Sequence, residues 1–316
     1  MSWKLSKNSS VKNILIITLS NIGDVVLTCP SIDILCQDFP SAKIWIVVGP
    51  KAVSLFEGNP RVHKVLVYDK HASLGNQVRW LWRLWKQSFE LIVDFRHTMM
   101  PFFIHSRYHT PLISPQDKSG HRLQKHSSRL KAIYDFKQLS AQRLTILPQA
   151  NHEAMLPAGH FVVIAPGAAD AAKRWPIAKF AVLSDFIVEQ GLKVVFVGDH
   201  QDVPLIEELR RSMKYPALSL AGAIHLRELA FVLQNAKFAV THDSGAMHLA
   251  SYFNVPLIAL WGPTDMKKYG PWSSRHQIII NRNSCPRCRH PKTDVPHQCM
   301  DAITVEEVIN AVKSIQ

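Results

Sequence analysis

The sequence has no uninterrupted apolar stretch of the ~18 to 20 residues that a membrane-spanning helix needs. Its longest apolar run, Ile14 to Leu27, is broken by Asn21 and Asp24. Glycine and proline are modest, 13 and 19 among 316 residues, and no low-complexity tract occurs, which excludes disordered, collagen-like and mucin-like readings. No internal repeat of short period is visible. Cysteine is scarce and odd in number; five thiols do not make a disulfide framework, and Cys29 and Cys36 read as small packed apolar residues. Two nucleotide fingerprints are also missing. No Gly-x-Gly-x-x-Gly follows a strand and no Gly-x-x-x-x-Gly-Lys-Ser/Thr occurs, which argues against a standard dinucleotide dehydrogenase and a P-loop nucleotidase. Met1 to Ser10 is polar, with Lys4 and Lys7, and lacks the apolar stretch and cleavage site of a secretory signal, so a cytoplasmic location is expected.

Acidic residues are sparse in one half only. Residues 1–150 hold 20 Lys and Arg against 9 Asp and Glu, a balance of +11; the remainder hold 17 against 15, a balance of +2. The first half is therefore expected to meet an anionic partner: nucleic acid, a membrane surface or a phosphorylated substrate.

Hydrophobic residues make up 47% and charged residues 19%, and the length implies about two domains with sizeable cores. Asn13 to Leu19 is a continuous β-branched run, the pattern of a strand buried on both faces of a parallel sheet. A turn at Ser20 to Gly23 and a helix from Asp24 to about Gln37 follow, with Pro30 as a kink. Further strands are expected at Lys43–Val48, Lys64–Tyr68 and Glu90–Asp94, with a helix over Gly75–Ser88. Residues 96–143 are rich in His, Arg and Lys and read as partly loop, and Leu147 to Gly159 as a linker. Short apolar runs then restart at Phe161–Ala165, Lys193–Val197, Lys237–Thr241 and Pro256–Leu260, which predicts a second parallel sheet. Thr304 and Glu307 form a capping box for a final helix to Ile315.

Between Lys237 and Pro263, a strand ending at Thr241 turns through His242 to Gly245 directly into a helix. Amides of Ser244, Gly245 and Ala246 at that helix start suit a pyrophosphate, and Asp243 and His248 lie within reach of a bound nucleotide. Alternatively, Asp243 is a simple N-cap and His248 a core histidine. Ala165 to Ala168 and Lys173 to Pro176 follow the first strand of the same sheet, on the edge where ligands bind, and Lys173 or Arg174 offers a cation for a diphosphate.

Asp243-Ser244-Gly245-Ala246-Met247-His248-Leu249-Ala250, Val255-Pro256, Gly262 to Asp265, Leu226 to Ala230 and Ile22 to Pro30 together resemble the ADP-heptose:lipopolysaccharide heptosyltransferases, glycosyltransferase family 9, over nearly the whole chain. The resemblance implies an α/β GT-B fold, two Rossmann-like doubly wound parallel-sheet domains facing a central cleft. Residues 1–148 would bind the acceptor, residues 159–303 the nucleotide sugar, and residues 304–316 would form a C-terminal helix. It further implies metal-independent, inverting transfer of heptose from ADP-heptose to the lipopolysaccharide inner core, without a cofactor. Asp24 would be the general base and Lys173 the holder of the donor phosphates. Asp199, with Asp202 as the alternative, would sit near the ribose, and Arg96, Arg122, Lys125 and Arg129 near the anionic acceptor. Readings left beside it are another nucleotide sugar or acceptor, and a catalytically silent protein on the same scaffold; no nucleic-acid motif is evident.

Two further segments carry a hypothesis. Trp80, Leu81, Leu84 and Trp85 share one helical face and Arg79, Arg83 and Lys86 another, an arrangement suited either to the inner leaflet of the cytoplasmic membrane or to core packing with a solvated basic face. Cys285, Cys288, His290, His297 and Cys299 form a loose zinc-ligand set; their irregular spacing favours reduced thiols, and no metal is expected.

Overall fold

The computed structural model describes residues 4–7, 10–69, 71–113, 120–151, 156–289 and 295–315. The chain divides into two compact units, Met1–Leu147 and Pro148–Gln316.

The first unit is built on strands β1 (Asn13–Ile17), β2 (Lys43–Val48), β3 (Val62–Val67), β4 (Phe89–Asp94) and β5 (Ser106–His109). They form one sheet in the order β3-β2-β1-β4-β5, with every neighbouring pair parallel. Crossovers are made by α1 (Ile22–Asp38), a 3-10 segment over Pro50–Leu55, α2 (Leu74–Trp85) and α3 (Met100–Phe103), and α4 (Arg122–Lys131) follows β5. The central strands read as unbroken apolar runs because helices cover both faces. Leu15, Ile17, Val47, Phe89 and Ile92 pack against Leu84 and Ile104 on one face. On α1, buried Asp33 accepts from the amides of Leu144 and Thr145 at 2.9 and 2.8 Å and from the Thr145 hydroxyl at 2.6 Å, fixing the end of the unit to its first helix.

The second unit carries β6 (Phe161–Ala165), β7 (Lys193–Phe196), β8 (Leu218–Ser219), β9 (Ala239–His242), β10 (Leu257–Trp261) and β11 (His276–Ile280). Their order is β11-β10-β9-β6-β7-β8, again wholly parallel. Its helices are α5 (Ile177–Glu189), α6 (Val203–Ser212), α7 (Leu226–Asn235), α8 (Gly245–Tyr252), α9 (Met266–Tyr269), α10 (Pro286–Arg289) and α11 (Val305–Ile315). Val162, Ile164, Phe196, Val240 and Leu260 on the sheet pack with Phe180, Leu183, Val308 and Val312 of α5 and α11. The capping box forms: the Thr304 amide donates to Glu307 at 2.7 Å and the Glu307 amide to the Thr304 hydroxyl at 3.2 Å.

Several elements differ from the sequence reading. The helix α1 begins at Ile22, ahead of Asp24, and runs through Pro30 to Asp38. Residues 96–143, expected to be partly loop, place α3, β5 and α4 between loop segments. In α4, His126 and Ser127 occupy inward positions that apolar residues would normally mark. The edge strands β8 and β11 are additional; β8 is two residues long and β11 is only partly buried. Part of the expected linker, residues 152–155, lies outside the described residues.

Candidate functional site

In each sheet the strand order reverses at one point, between β1 and β4 and between β6 and β9. Loops leaving the carboxyl ends of such a strand pair diverge and open a crevice, which is where ligands bind in doubly wound sheets.

At the second switch point, β6 ends at Ala165 and leads to a 3-10 turn over Ala171–Lys173, capped by Asp170, which accepts from the Ala172 amide at 2.9 Å. Across the crevice, β9 ends at His242, and Asp243 follows. Lys173 Nζ donates to Asp243 Oδ2 at 2.8 Å, with the ammonium side chain 25% and the carboxylate 8% exposed. Ser244, not Asp243, is the N-cap of α8, in extended conformation at φ −148°, ψ 173°. Its hydroxyl is buried without a hydrogen-bond partner among the described residues. The next residues, Gly245 and Ala246, are partly exposed, and their amides have no carbonyl within the helix to bond. His248 is buried, its Nε2 3.9 Å from Asp243 Oδ1, and its ring stacks on Trp272 with centroids 5.6 Å apart.

A second contact holds the same two loops together. The Trp175 amide donates to His242 Nε2 at 3.0 Å, so the imidazole is neutral and carries its proton on Nδ1. Burial pulls the His242 pKa down to about 4, consistent with that state. The Trp175 indole donates to the Ile303 carbonyl at 3.0 Å. Nothing in the sequence pattern marks the His242–Trp175 bond, and Trp272 carries no local signal either. Hydroxyls of Thr241, near the end of β9, and Thr264, in the loop after β10, are also buried and unpartnered among the described residues.

Asp199 is exposed and engaged in its own turn, accepting from the amides of Gln201 and Asp202 at 2.7 and 3.2 Å. Asp202 is the carboxylate that borders the β6 loop: a Cβ at Gly167 would lie 2.2 Å from it, so only glycine fits there. Burial raises the Asp202 pKa.

At the first switch point, Asp24 lies in the opening turn of α1, partly exposed, and accepts from the Asn21 side-chain amide at 3.2 Å. Across from it, the loop after β4 is tied down by buried Asp94, which accepts from the Arg96 and Thr98 amides at 2.7 and 2.6 Å. The Arg96 guanidinium lies over the Tyr68 ring at 5.1 Å. His97 adopts φ 60°, a left-handed conformation uncommon outside glycine. Arg122 is exposed and Lys125 half-buried, one turn apart on α4. Arg129 departs from the expected acceptor cluster. It is buried, donating to the Asp94 carbonyl at 2.8 Å, the Pro111 carbonyl at 3.1 Å and His97 Nδ1 at 2.7 Å, and so serves the β4 loop rather than a ligand.

The helix α2 divides its tryptophans differently from the simple helical wheel. Leu84 is buried and Trp80 packs on Tyr68, whereas Trp82 and Trp85 are 53% and 62% exposed; the side chains of Leu81 and Arg83 lie outside the described set. Lys86 lies over the Trp82 ring at 3.6 Å. Of the loose zinc-ligand set, Cys285, Cys288, His297 and Cys299 are gathered with their ligand atoms all within 4.8 Å of one another, while His290 lies outside the described residues. Among the described residues no helix is long and apolar enough to cross a membrane.

The family model of glycosyltransferase family 9 (heptosyltransferase) matches residues 81–298. The chain belongs to glycosyltransferase family 9. It is 37% identical to lipooligosaccharide heptosyltransferase 2 of Haemophilus influenzae over 131 residues, 40% of this chain and 38% of that protein. To lipopolysaccharide heptosyltransferase 3 of Escherichia coli it is 28% identical over 291 residues, 80% of this chain and 84% of the relative. Among solved structures it is similar to the glycosyl transferase family 9 from Veillonella parvula, at TM-score 0.82 and 22% identity, covering 100% of this chain and 99% of the other. It is also similar to the E. coli ADP-heptose lps heptosyltransferase II, at TM-score 0.76 and 20% identity, covering 96% and 98%. The two parallel-sheet α/β units are thus those of a GT-B fold, and this family member is a glycosyltransferase.

Proposed function

We propose that the chain transfers heptose from ADP-heptose to an inner-core lipopolysaccharide acceptor, with inversion at the anomeric carbon. The Lys173–Asp243 pair at 2.8 Å, one residue before the N-cap of α8, carries this reading. Residues of the second unit hold the donor. Asp243 fixes the ammonium of Lys173, whose remaining N–H groups, with the amides of Gly245 and Ala246, meet the diphosphate. The unpartnered hydroxyl of Ser244 adds a donor at the same place. His248 and its stacked partner Trp272 flank the helix start, and Asp202 or Asp199 borders the nucleoside end.

The first unit takes the acceptor. Asp24 accepts the proton of the acceptor hydroxyl as that oxygen attacks the anomeric carbon; the bond from carbon to phosphate oxygen breaks and ADP leaves with the electron pair. Charge growing on the departing diphosphate meets a fixed cation and a helix N-terminus. Arg96, Arg122 and Lys125 supply cations for an anionic inner core, in keeping with the balance of +11 over residues 1–150.

The acceptor's lipid places the reaction at the cytoplasmic leaflet of the inner membrane. Trp82 and Trp85 of α2 and Phe102 and Phe103 of α3, two helices in contact, are each more than half exposed and suit peripheral insertion among anionic headgroups.

Turnover is the test. Purified protein incubated with ADP-heptose and heptose-accepting lipopolysaccharide should release ADP and extend the acceptor, and ADP-glucose should be at least ~10-fold poorer. Absence of transfer with every heptose-accepting lipid, or transfer undiminished by Asp24→Asn, would overturn the reading.

A further inference from the structure

The strongest unassigned feature is the cluster after β11. Cys285 opens a tight turn in which the amides of Cys288 and Arg289 both donate to its carbonyl at 3.1 Å, so that both sulfurs of the Cys-Pro-Arg-Cys segment face the same point. The chain returns at His297 to Cys299 to meet them. His297 Nδ1 lies 3.9 Å from Cys285 Sγ and 3.6 Å from Cys288 Sγ. Cys299 completes the set, with all four ligand atoms within 4.8 Å of one another.

These separations match the edges of a metal tetrahedron. With zinc bonds of about 2.3 Å to sulfur and about 2.0 Å to nitrogen, the sulfur–nitrogen edge is about 3.5 Å and the sulfur–sulfur edge about 3.8 Å. A disulfide would use two of the three sulfurs and leave a thiol and an imidazole pointed at it without purpose. The Gln298 amide donates to Cys285 Sγ at 3.3 Å, the outer hydrogen bond that stabilises a metal-bound thiolate. Three sulfurs and one imidazole form a soft, closed donor set, which selects zinc and leaves no position for substrate.

We propose that Cys285, Cys288, His297 and Cys299 bind a structural zinc ion. The knot lies beside the donor loop without entering the reaction. Cys299 is followed by buried Met300, which packs at Gly262, where a Cβ would be 3.1 Å from the sulfur and 3.4 Å from the Ala172 carbonyl. Asp301 and Ile303 offer carbonyls to Lys179 Nζ at 2.5 and 2.8 Å, and Ile303 also accepts from the Trp175 indole. Zinc at this point therefore clamps the segment that supports the loop from Ala172 to Trp175.

The test is metal analysis of full-length protein expressed with added zinc and purified without chelator. About one zinc per chain is expected. Replacement by cobalt should give the intense visible bands of tetrahedral thiolate-bound Co2+, and stripping the metal should lower the melting temperature by at least ~5 °C. Cys288→Ser and His297→Ala should each lower zinc content severalfold with far-ultraviolet circular dichroism preserved. The wild-type measurement stands by itself should a variant fail to fold. Protein free of metal after this preparation, a Cys285–Cys288 disulfide, or stoichiometric iron in place of zinc would each overturn the proposal.

Discussion

The two switch points are built to opposite designs. In the second unit the reactive loops are locked to each other through Lys173–Asp243 and Trp175–His242, at 2.8 and 3.0 Å. In the first unit Asp24, among the described residues, accepts a 3.2 Å bond from Asn21, while the ordered interactions of Asp94 and Arg129 stabilise the loop opposite. The difference follows from what each side must hold. A diphosphate is small and always carries the same charge, so a preset cation and helix start gain affinity by avoiding reorganisation. A base has to meet a hydroxyl delivered by a large acceptor, and an open carboxylate serves that purpose.

This contrast is sharpened first by Asp24→Asn. Loss of the base should lower kcat by about a thousandfold while the KM for the donor changes less than about twofold, measured by ADP release. A donor KM that rises in parallel would break the division of labour. Next in size is Arg129→Ala, which should cost about 3 kcal/mol in urea unfolding because the buried Asp94 carbonyl and the half-buried Pro111 carbonyl each lose the guanidinium donor. Arg122→Ala, an exposed change on the same helix, should leave stability within about 0.5 kcal/mol and raise the acceptor KM instead. Lys173→Ala should raise the donor KM by about 30-fold, with Lys173→Arg recovering part of the loss, since charge is restored but the point contact to Asp243 is not.

A smaller effect concerns acid. Burial holds His242 at about 4 and His126 at about 3, both below the ordinary histidine value of 6.5. Below pH 6.5 the unfolded chain takes up these protons and the folded chain does not, so their stabilisation is complete above that pH and is lost as pH falls toward 4. Melting temperature should drop across this window, and His126→Leu should make the drop shallower; an unchanged slope would show that His126 titrates normally. Smallest for the fold is the double change Trp82→Ala, Trp85→Ala. Stability should move by less than about 1 kcal/mol, while binding to anionic vesicles should fall severalfold; full retention would remove α2 from the membrane contact.

How much of this could be read from residue order depends on distance along the chain. The strands β1, β2, β4, β6 and β7 are legible because central parallel strands are continuous apolar runs. Edge strands such as His276–Ile280 and Ser106–His109 are half wet and carry no such run. The helix α4 was hidden because His126 and Ser127 stand where the apolar stripe should be. The anion-binding helix start at Ser244 to Ala246 is local, a strand followed at once by a small-residue turn, and was readable. Pairings across long separations were not. Asp243 reads from the sequence either as a donor-site residue or as a helix cap, and its 2.8 Å approach to Lys173 shows where its charge is directed. Arg129 looked like a ligand-facing cation by its neighbours Arg122 and Lys125, yet the helix turns it inward to backbone carbonyls. The four metal-type ligands after β11 seemed irregular for the same reason, since tertiary folding rather than spacing brings His297 and Cys299 back to Cys285.

The central claim is that the second switch point grips a diphosphate, and a crystal of this protein with ADP tests it most directly. The account predicts phosphate oxygens at about 3 Å from the amides of Gly245 and Ala246 and from Lys173 Nζ. ADP bound at another place, with those amides covered and Lys173 still held by Asp243 alone, would contradict it.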